Sequence, residues 1–259
     1  MKKYMLDLRI VENVRLHERA FLLRLTAEKP LPAMVAGQFV QVRIDGSPQT
    51  FLRRPISVNY VDKQRNTLWL LVQIAGDGTR WLSERLSGDI INVILPLGNG
   101  FTIPFGNTGD SLLLIGGGVG VAPLLFLGET LKSAGFKPIF LLGGRSKNDI
   151  LQLPDFQRIG TIFITTEDGS AGEKGFVTNH SILREGRFGK IYTCGPKPMM
   201  LAVAHFAKEN GIDCEVSLEN MMACGIGACL CCVEKTVKGN LCVCIEGPVF
   251  NINQLTWQI

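Results

Sequence analysis

The sequence predicts a mixed β and α/β fold in three parts: an N-terminal antiparallel β-barrel, a doubly wound parallel-sheet domain and a cysteine-rich C-terminal loop subdomain. Three observations predict it. Short apolar runs fill residues 1–101, strand and helix patterns alternate over 102–217, and six of the eight cysteines lie within 218–259. A chain of 259 residues, 46% of them hydrophobic, is long enough for two domains and a small appendage.

The barrel is predicted because the apolar runs of residues 1–101 are short and are separated by Gly, Pro, Asp and Asn. One helix, over Thr79–Leu86, is expected directly after Gly76-Asp77-Gly78. The predicted strands are Leu6–Val14, Phe21–Leu25, Gln38–Ile44, Ile56–Tyr60, Thr67–Ile74 and Ile90–Leu95.

The second domain is predicted as a parallel sheet with helices on both faces, because strands and helices alternate along 102–217. The clearest helices are expected over Val121–Leu131 and Pro198–Lys208, and the last 40 or so residues read as loops. The predicted strands are Leu112–Ile115, Ile139–Leu142, Thr161–Thr165, Ile191–Thr193 and Cys214–Ser217.

Composition and charge argue against several function classes. The net charge of +4 is spread along the chain without a basic cluster, which gives nucleic-acid binding little support. Asp7, Arg9 and Glu12 interrupt any apolar core of a secretory signal. The uncharged segment 111–128 is close to the about 20 residues of a membrane span, but its glycines and Pro123 favour a strand, a turn and a helix. We therefore expect a cytoplasmic protein without a membrane span.

The strongest motif is Cys224-x4-Cys229-x2-Cys232, followed after eleven further residues by Cys244. The first three cysteines have the spacing of plant-type [2Fe–2S] ligands, in which a tight loop holds one edge of the cluster. Glycines inside the loop, at positions 225 and 227, allow unusual backbone angles and a close approach of N–H groups to the cluster sulfurs. The motif predicts a [2Fe–2S] cluster.

Two alternatives remain for these cysteines. A structural zinc site could use Cys229-x2-Cys232 with Cys242-x-Cys244, although the glycine insert has no role there, and the thiols could also be inert and buried. Cys231 and Cys242 are surplus, and the choice between Cys231 and Cys232 as a ligand stays open. A Rieske centre is disfavoured because all three histidines are distant in sequence.

A second motif pairs two segments of the barrel. Arg54-Pro55-Ile56-Ser57 begins a strand, where an Arg can pair with a phosphate and a Ser hydroxyl can approach a flavin ring. Gly76-Asp77-Gly78-Thr79 opens a helix, whose free N–H groups suit a pyrophosphate. Together they predict a flavin site, whereas alone the first segment would indicate only surface ion pairing.

Two further motifs lie in the second domain. Gly116-Gly117-Gly118-Val119-Gly120 connects a strand to a helix and lets phosphates approach the helix, but Val121 breaks the G-x-G-x-x-G pattern, and packing is an equal explanation. Thr193-Cys194-Gly195-Pro196 ends another strand, where ligands of open parallel sheets bind. Cys194 could contact a nicotinamide ring or could be a buried small hydrophobe.

In this order the motifs resemble the ferredoxin–NADP reductase superfamily. With Thr166-Glu167-Asp168-Gly169-Ser170 and with Cys244-x-x-Gly-Pro-Val-Phe250, the whole chain resembles the family of dihydroorotate dehydrogenase B electron-transfer subunits. The final cysteine block is the most specific part of that resemblance.

The resemblance implies FAD in the barrel, a [2Fe–2S] cluster on the last segment, and NAD as a diffusible electron carrier in the second domain. A separate FMN-containing catalytic subunit would oxidise dihydroorotate, and electrons would pass through the cluster and FAD to NAD+ in a two-plus-two heterotetramer serving pyrimidine (UMP) synthesis. The implied FAD contacts are Arg54, Pro55, Ile56, Ser57, Leu71, Val72, Gln73, Gly78 and Thr79. The implied NAD contacts are Gly116, Gly117, Gly118, Gly120, Cys194 and Gly195, and the implied cluster ligands are Cys224, Cys229, Cys232 and Cys244.

Two departures from the superfamily leave questions open. Ile56 stands where an aromatic residue is common, so stacking on the flavin is in question, and Gly144-Arg145-Ser146 occupies the place where NADP-using relatives grip a 2′-phosphate. No constellation of a catalytic base is visible, which suits a relay subunit. The alternatives are the small subunit of an NADH/ferredoxin-dependent NADP reductase, an oxygenase reductase, and a metal-stabilised interaction module.

Overall fold

The N-terminal part of the chain folds into an antiparallel sheet. In the computed structural model, which describes residues 2–46, 49–105 and 111–257, this sheet has seven strands in the order β4-β3-β7-β1-β2-β6-β5. Its interior is lined by buried aliphatic side chains such as Leu8, Leu23 and Val40. The strands are β1 (Tyr4–His17), β2 (Ala20–Thr26), β3 (Phe39–Val42), β4 (Arg54–Ser57), β5 (Tyr60–Asp62), β6 (Thr67–Gln73) and β7 (Ile90–Leu97), with α1 (Asp77–Ser83) before β7.

Two predicted elements of this sheet differ from the structure. The strand expected over Ile56–Tyr60 is divided into β4 and β5, because the chain leaves the ladder at Val58 and Asn59. The helix expected over Thr79–Leu86 begins and ends earlier, as α1. The Thr79 hydroxyl accepts the Ala75 N–H at 2.9 Å and the Gly76 N–H at 3.2 Å, and this cap fixes the helix start.

A second sheet follows, with helices between its strands. The strands are β8 (Ser111–Gly117), β9 (Pro138–Gly144), β10 (Thr161–Thr166), β11 (Glu173–Lys174), β12 (Phe188–Cys194) and β13 (Asp213–Ser217). The α-helices are α2 (Ala122–Ser133), α3 (Leu153–Gln157), α4 (Ile182–Glu185) and α5 (Lys197–Glu209). Short 3₁₀ helices lie at Gly118–Val121, Lys147–Asp149, Val177–Asn179 and Ile252–Gln254.

The strand order of the second sheet is β11-β10-β9-β8-β12-β13. All of these neighbours are parallel. The chain runs outward from β8 to one edge and then returns to β12 on the other side of β8. The point between β8 and β12 is therefore the topological switch point, where ligands of doubly wound sheets bind. The predicted parallel sheet is confirmed, and segment 111–128 forms β8, a turn and the start of α2. Among the described residues, no helix is long and apolar enough to cross a membrane.

The C-terminal segment is more ordered than the loops that its sequence suggests. It forms a hairpin of β14 (Val233–Thr236) and β15 (Gly239–Cys242), a short α6 (Val243–Glu246) and β16 (Val249–Asn251). The last of these strands pairs antiparallel with β13, with Ser217 opposite Val249. The second sheet is therefore not purely parallel, because its edge is supplied by the cysteine-rich segment. The domain boundaries at residues 101 and 217 stay a prediction.

Hydrogen bonds also tie the cysteine-rich segment to the barrel. Asn99, just after β7, donates from its side chain to the carbonyls of Ile245 at 3.0 Å and Glu246 at 3.1 Å. Its own N–H donates to the Gly247 carbonyl at 2.6 Å. A Cβ on Gly98 would lie 2.6 Å from Pro248, so the two backbones touch there. The segment is thus held between the two sheets.

Candidate functional site

The four predicted ligand cysteines form two pairs. The thiol of Cys229 hydrogen-bonds to Cys224, and the thiols of Cys232 and Cys244 hydrogen-bond to each other. The Cys244 N–H also donates to Cys232 Sγ at 3.4 Å, and the charges of Cys224 and Cys244 influence one another. The tight loop holds the first pair, whereas the turn from β15 into α6 brings Cys244 back to Cys232. The structure thus brings together residues that the sequence separates by up to twenty positions.

The loop backbone is arranged to receive a negative sulfur at Cys224. Partial burial opposes ionisation of this thiol. Hydrogen bonds to its sulfur outweigh burial and lower the pKa of Cys224 to about 6. They come from the Ile226 N–H at 3.4 Å, from the Cys229 thiol and N–H, and from the Ala228 N–H. Gly225, with φ of +70°, allows the chain to turn so that these N–H groups face the sulfur.

The other pair has the opposite tendency. The pKa of Cys244 is raised to about 12, first by burial and then by the hydrogen bond with the Cys232 thiol and the negative charges of Cys232 and Cys224. A hydrogen bond from the Gly227 N–H acts against this shift. The four thiols therefore do not all ionise without a positive charge between them. Iron ions supply that charge, so the donor set fits a metal cluster.

The two surplus cysteines occupy different places. Cys231 is exposed, and its thiol donates to the Met221 carbonyl at 3.7 Å, outside both pairs. Cys242 lies closer, since burial, the charges of Cys232, Cys229 and Cys224, and a hydrogen bond with the Cys232 thiol raise its pKa, so Cys232 contacts Cys242 as well as Cys244. Their roles as non-ligands, and the preference for Cys232 over Cys231, stay predictions, but the buried Cys232 is the one that is paired.

The paired arrangement distinguishes between the two kinds of metal site. One zinc ion needs its ligands to converge on a single point. Among the described residues, no group of three or more Cys, His, Asp or Glu side chains is close enough for that. The thiols of Cys224, Cys229, Cys232 and Cys244, held as two neighbouring pairs, would suit the iron ions of a [2Fe–2S] cluster better. The arrangement favours the cluster over the zinc alternative.

The flavin motif brings together β4 and the start of α1. A Cβ on Gly78 would lie 2.9 Å from Arg54 Nε and 3.0 Å from Thr50, so the guanidinium lies directly over this glycine. Arg54 Nη1 also donates to the Leu52 carbonyl at 3.2 Å. A cation thus lies against the first turn of α1, where Gly78 and Thr79 are buried, and a guanidinium in this place can pair with a pyrophosphate. Thr79 uses its hydroxyl in the helix cap.

The remaining predicted flavin contacts divide between two faces of the barrel. In the β3–β4 ladder, Ile56 pairs with Val40 and packs against the barrel interior, whereas Ser57 pairs with Phe39 on the opposite face. On β6, Leu71 and Val72 are buried in the protein and can offer a flavin only their backbone, and Gln73 is exposed. Ile56 is half-buried, and its contact with the flavin stays a prediction.

The glycine turn and the Cys194 strand end meet at the switch point. A Cβ on Gly120 would lie 2.4 Å from Gly195 Cα and 2.6 Å from the Cys194 carbonyl. Gly195 in turn approaches Gly117, with a Cβ position 3.2 Å from its nitrogen. The absence of side chains lets the two turns touch, as a nucleotide crossing both strands would need.

Cys194 is buried, and this burial, together with the charge of Glu219, raises its pKa well above the usual range. Hydrogen bonds with the Ser217 side chain and the Gly195 backbone lower the pKa but do not outweigh burial. The carboxyl of Glu219 has its own pKa raised by burial. No sequence motif pointed to Glu219, which follows β13 without a neighbouring signal. The structure places an uncharged thiol and a carboxyl beside the predicted nicotinamide position.

Two cavities lie away from these motifs. The larger, of about 720 Å³, lies between the β1–β2 hairpin and α1 and is bordered by Arg15, Arg19 and Arg80. The smaller, of about 300 Å³, lies beside Tyr60 and Trp69 at the edge of β5 and β6. Neither of these two is lined by the predicted cofactor residues.

Family models match two parts of the chain. The iron-sulfur cluster binding domain of dihydroorotate dehydrogenase B matches residues 219–256, and the oxidoreductase NAD-binding domain matches residues 114–205. The first match contains all four paired cysteines, and the second contains both turns of the switch point.

Curated relatives match nearly the whole chain. The dihydroorotate dehydrogenase B (NAD(+)) electron transfer subunit of Fusobacterium nucleatum is 36% identical over 250 residues, covering 94% of this chain and 95% of the relative. The subunit of the same name from Lysinibacillus sphaericus is 38% identical over 247 residues, covering 94% and 95%. Among solved structures, an NADH-dependent reduced ferredoxin-NADP oxidoreductase has a TM-score of 0.87 at 30% identity, covering 96% of this chain and 90% of that chain. The ferredoxin reductase of carbazole 1,9a-dioxygenase shares the fold. It has a TM-score of 0.68 at 20% identity, covering 82% of this chain and 67% of that chain.

Proposed function

The chain belongs to the family of dihydroorotate dehydrogenase B (NAD(+)) electron transfer subunits, and from this membership we propose that it carries electrons from an FMN-containing dihydroorotate dehydrogenase subunit, through a [2Fe–2S] cluster and FAD, to NAD+. It does so within a two-plus-two heterotetramer in pyrimidine synthesis. Substrate dehydrogenation belongs to the partner, because the relatives of this chain are named electron transfer subunits. We place the assembly in the cytoplasm, whose reducing conditions keep cysteine thiols available for iron.

The observation that carries this proposal is the pairing of the four thiols beside the barrel. Cys224 with Cys229, and Cys232 with Cys244, provide two ligand pairs for two irons. The flavin, when bound, exchanges two electrons with a nucleotide and single electrons with the cluster. A chain with both sites can therefore connect hydride chemistry to one-electron transfer.

The residues around each site position the reacting groups and control their charge. Arg54 over Gly78 provides a cation for the flavin pyrophosphate. At the switch point, Gly120 and Gly195 let the two turns pack against each other beside the place that we assign to the nicotinamide. Cys194, whose pKa burial keeps high, stays neutral there and does not attack the ring as a thiolate.

A first experiment tests the cluster ligands. In the anaerobically purified complex, Cys224→Ser should reduce the content of iron and acid-labile sulfide to less than half that of the unmodified complex and abolish electron transfer from dihydroorotate to NAD+. The matched control is Cys231→Ser, one residue from a ligand but outside the pairs, which should keep the cluster. Cluster content that survives in Cys224→Ser, or is lost only in Cys231→Ser, would contradict the ligand assignment.

A second experiment tests the division of labour. The isolated chain should reduce an artificial acceptor such as ferricyanide with NADH, yet should not oxidise dihydroorotate until the partner is added. Robust dihydroorotate oxidation by the isolated chain would rule the proposal out. A flavin-free, iron-free chain that is nevertheless folded would favour an interaction module instead.

A second candidate function is the small subunit of an NADH/ferredoxin-dependent NADP reductase. The TM-score of 0.87 at 30% identity favours it, as does Arg145, which is exposed after β9 where a 2′-phosphate could bind. The identities of 34% to 38% to dihydroorotate dehydrogenase subunits favour the first function. Identifying the co-purifying partner, with NADH and NADPH titrated separately, distinguishes the two.

A further inference from the structure

Gln41 is a buried glutamine whose amide has no hydrogen-bond partner among the described residues. It lies on β3, its side chain is 0% exposed, and neither Nε2 nor Oε1 is hydrogen-bonded. Burying an amide without partners is costly, and such groups are rare in folded proteins. A residue of this kind needs an explanation, and a ligand that is not part of the polypeptide is one of them.

The amide faces the loop that carries the first cluster cysteine. A Cβ on Gly225 would lie 2.6 Å from both Cγ and Nε2 of Gln41, so the glycine and the amide are in direct contact. Gly225 directly follows Cys224, inside the Cys224-x4-Cys229 loop. Nε2 is the polar atom of Gln41 nearest to this glycine. The group that a ligand would meet is therefore a hydrogen-bond donor.

The same strand face also reaches the flavin motif. Gln41 pairs with Pro55 in the β3–β4 ladder, next to Ser57, which pairs with Phe39. Side chains alternate along a strand, so Phe39 and Gln41 share one face, and Phe39 packs in a cluster that contains Cys232 and Cys244. Gln41 consequently lies between the predicted flavin strand and the cysteine loop.

We propose that Gln41 donates an amide hydrogen bond to a sulfur of the [2Fe–2S] cluster, either the Cys224 thiolate or a bridging sulfide, and so raises the reduction potential of the cluster. This inference rests on the proposed function. Sulfur acceptors fit the site because the four thiolates bring negative charge to the loop that the amide touches. A donor to sulfur stabilises the more negative, reduced state of the cluster, so it acts on the potential. Gln41 is a positioning residue, since its own atoms undergo no reaction.

The test is a redox titration of the complete complex, in which the electron paramagnetic resonance signal of the reduced cluster measures how much of it is reduced at each potential. Gln41→Met keeps the length of the side chain and removes the donor. We expect unchanged iron and flavin contents. The equilibrium constant for reduction of the cluster should fall about tenfold, which corresponds to a reduction potential about 59 mV lower for a one-electron couple. An unshifted cluster potential, or a shift confined to the flavin, would overturn the inference.

The matched control is Gln38→Met. Gln38 is also buried and lies just before β3, but its amide is satisfied, accepting from the Val35 N–H at 2.9 Å and donating to the Gly98 carbonyl at 2.9 Å. This variant should lower stability without moving the cluster potential. Equal shifts in the two variants would show that any disturbance of β3 has this effect, and would overturn the specific role of Gln41.

A second measurement needs no substitution and decides the question if Gln41→Met loses its cluster. In the unmodified complex, with glutamine side chains labelled by ¹⁵N at Nε2, the reduced cluster should show a hyperfine coupling to a labelled nitrogen that is missing in unlabelled material. No such coupling would overturn the inference. Unmodified protein without iron or labile sulfide would instead contradict the proposed function itself.

Discussion

At the scale of single residues, the predicted ligands differ in ionisation before iron binds. The pKa of Cys224 is lowered to about 6 by its N–H donors, whereas that of Cys244 is raised to about 12 by burial and by Cys232. Cys224 is thus ready to bind iron at neutral pH, and Cys244 must first lose a proton. Iron binding should therefore release protons and weaken as the pH falls.

This difference predicts the pattern of alkylation by iodoacetamide. In the iron-free chain, Cys224 should react at half its maximal rate near pH 6, because the thiolate is the nucleophile and its fraction rises through that pKa. Cys214, whose pKa burial raises above the usual range, should stay unmodified at pH 8. Peptide mass spectrometry measures both. In the iron-loaded chain Cys224 should be protected while exposed Cys231 still reacts, and equal reactivity of Cys224 in both forms would contradict its role as a ligand.

A second prediction concerns Gly120. An alanine there would place its Cβ 2.4 Å from Gly195 Cα, and neither backbone can move without opening the switch point. Gly120→Ala should therefore raise the KM for NADH at least fivefold, with flavin and iron retained, in a steady-state assay with an artificial acceptor.

The control for that change is Gly135→Ala, just beyond the other end of α2. Gly135 has φ of +90° and nothing within 4 Å of its Cβ position, so alanine there should cost about 1 kcal/mol of stability and leave the KM unchanged. If the KM rises equally in both variants, the effect is not local to the switch point.

The sequence predicts those residues whose spacing is itself informative. The cysteine and glycine motifs depend on neighbours in the chain, so the loop at Cys224 and the turn at Gly120 could be found without a structure. Gln41 and Glu219 could not, because a single Gln in a strand and a single Glu after one carry no local pattern. Their environments arise from segments that are distant in the chain, Gly225 for Gln41 and Cys194 for Glu219.

At the scale of elements, a buried charge network fixes the connection between the two sheets. The Lys190 ammonium on β12 lies 3.0 Å from the Glu215 carboxylate and 2.9 Å from Asp213 on β13. Thr102, in the connecting segment, donates its N–H to Glu215 at 3.0 Å, and the Tyr192 hydroxyl donates to the Thr102 carbonyl at 2.8 Å. The connection is therefore attached to β12 and β13 of the second sheet.

Removing the cation of this network should be strongly destabilising. Lys190→Met leaves the buried Glu215 carboxylate without its counter-charge, and we expect a loss of about 3–5 kcal/mol in the free energy of unfolding, measured by urea denaturation of the cofactor-loaded chain. Glu209→Gln, which breaks the exposed His205–Glu209 pair, should cost at most about 1 kcal/mol. Losses of similar size in the two variants would show that the network contributes no more than surface pairing.

The limits of sequence-based prediction differ between elements. The strand near Leu113 is buried on both faces, and its continuous apolar run identifies it. In contrast, β16 has three residues, and it forms because Val249 finds a partner in Ser217 across a long excursion of the chain. Such a strand depends on tertiary pairing rather than on local pattern, so the final segment reads as loops.

At the scale of the whole molecule, one reciprocal amide pair joins the barrel to the second domain. Asn59 is buried, donates to Gln152 Oε1 at 3.0 Å and to the Ala122 carbonyl at 3.0 Å, and accepts from Gln152 Nε2 at 3.1 Å. This pair lies at the gap between β4 and β5, where the predicted strand was interrupted. The interruption thus provides an interdomain contact.

A double-mutant cycle measures that contact. Asn59→Ala should cost about 1–3 kcal/mol, because it leaves Gln152 and the Ala122 carbonyl without a partner, and Gln152→Ala should cost a similar amount. Since the two side chains share their hydrogen bonds, the double variant should cost less than the sum by at least about 0.5 kcal/mol. Strict additivity in thermal or chemical denaturation would show that the amides do not stabilise the junction together.

The antiparallel edge strand has a consequence for the way electrons travel. The cysteine segment leaves the sheet at Ser217 and returns directly opposite at Val249, with Asn99 holding it from the barrel side. Because this segment is attached at both ends, it cannot move as a whole between one position where the cluster accepts electrons and another where it donates them. Electrons must cross a constant distance between the cofactors. Raising the viscosity of the solvent with glycerol should therefore leave the rate of internal electron transfer unchanged.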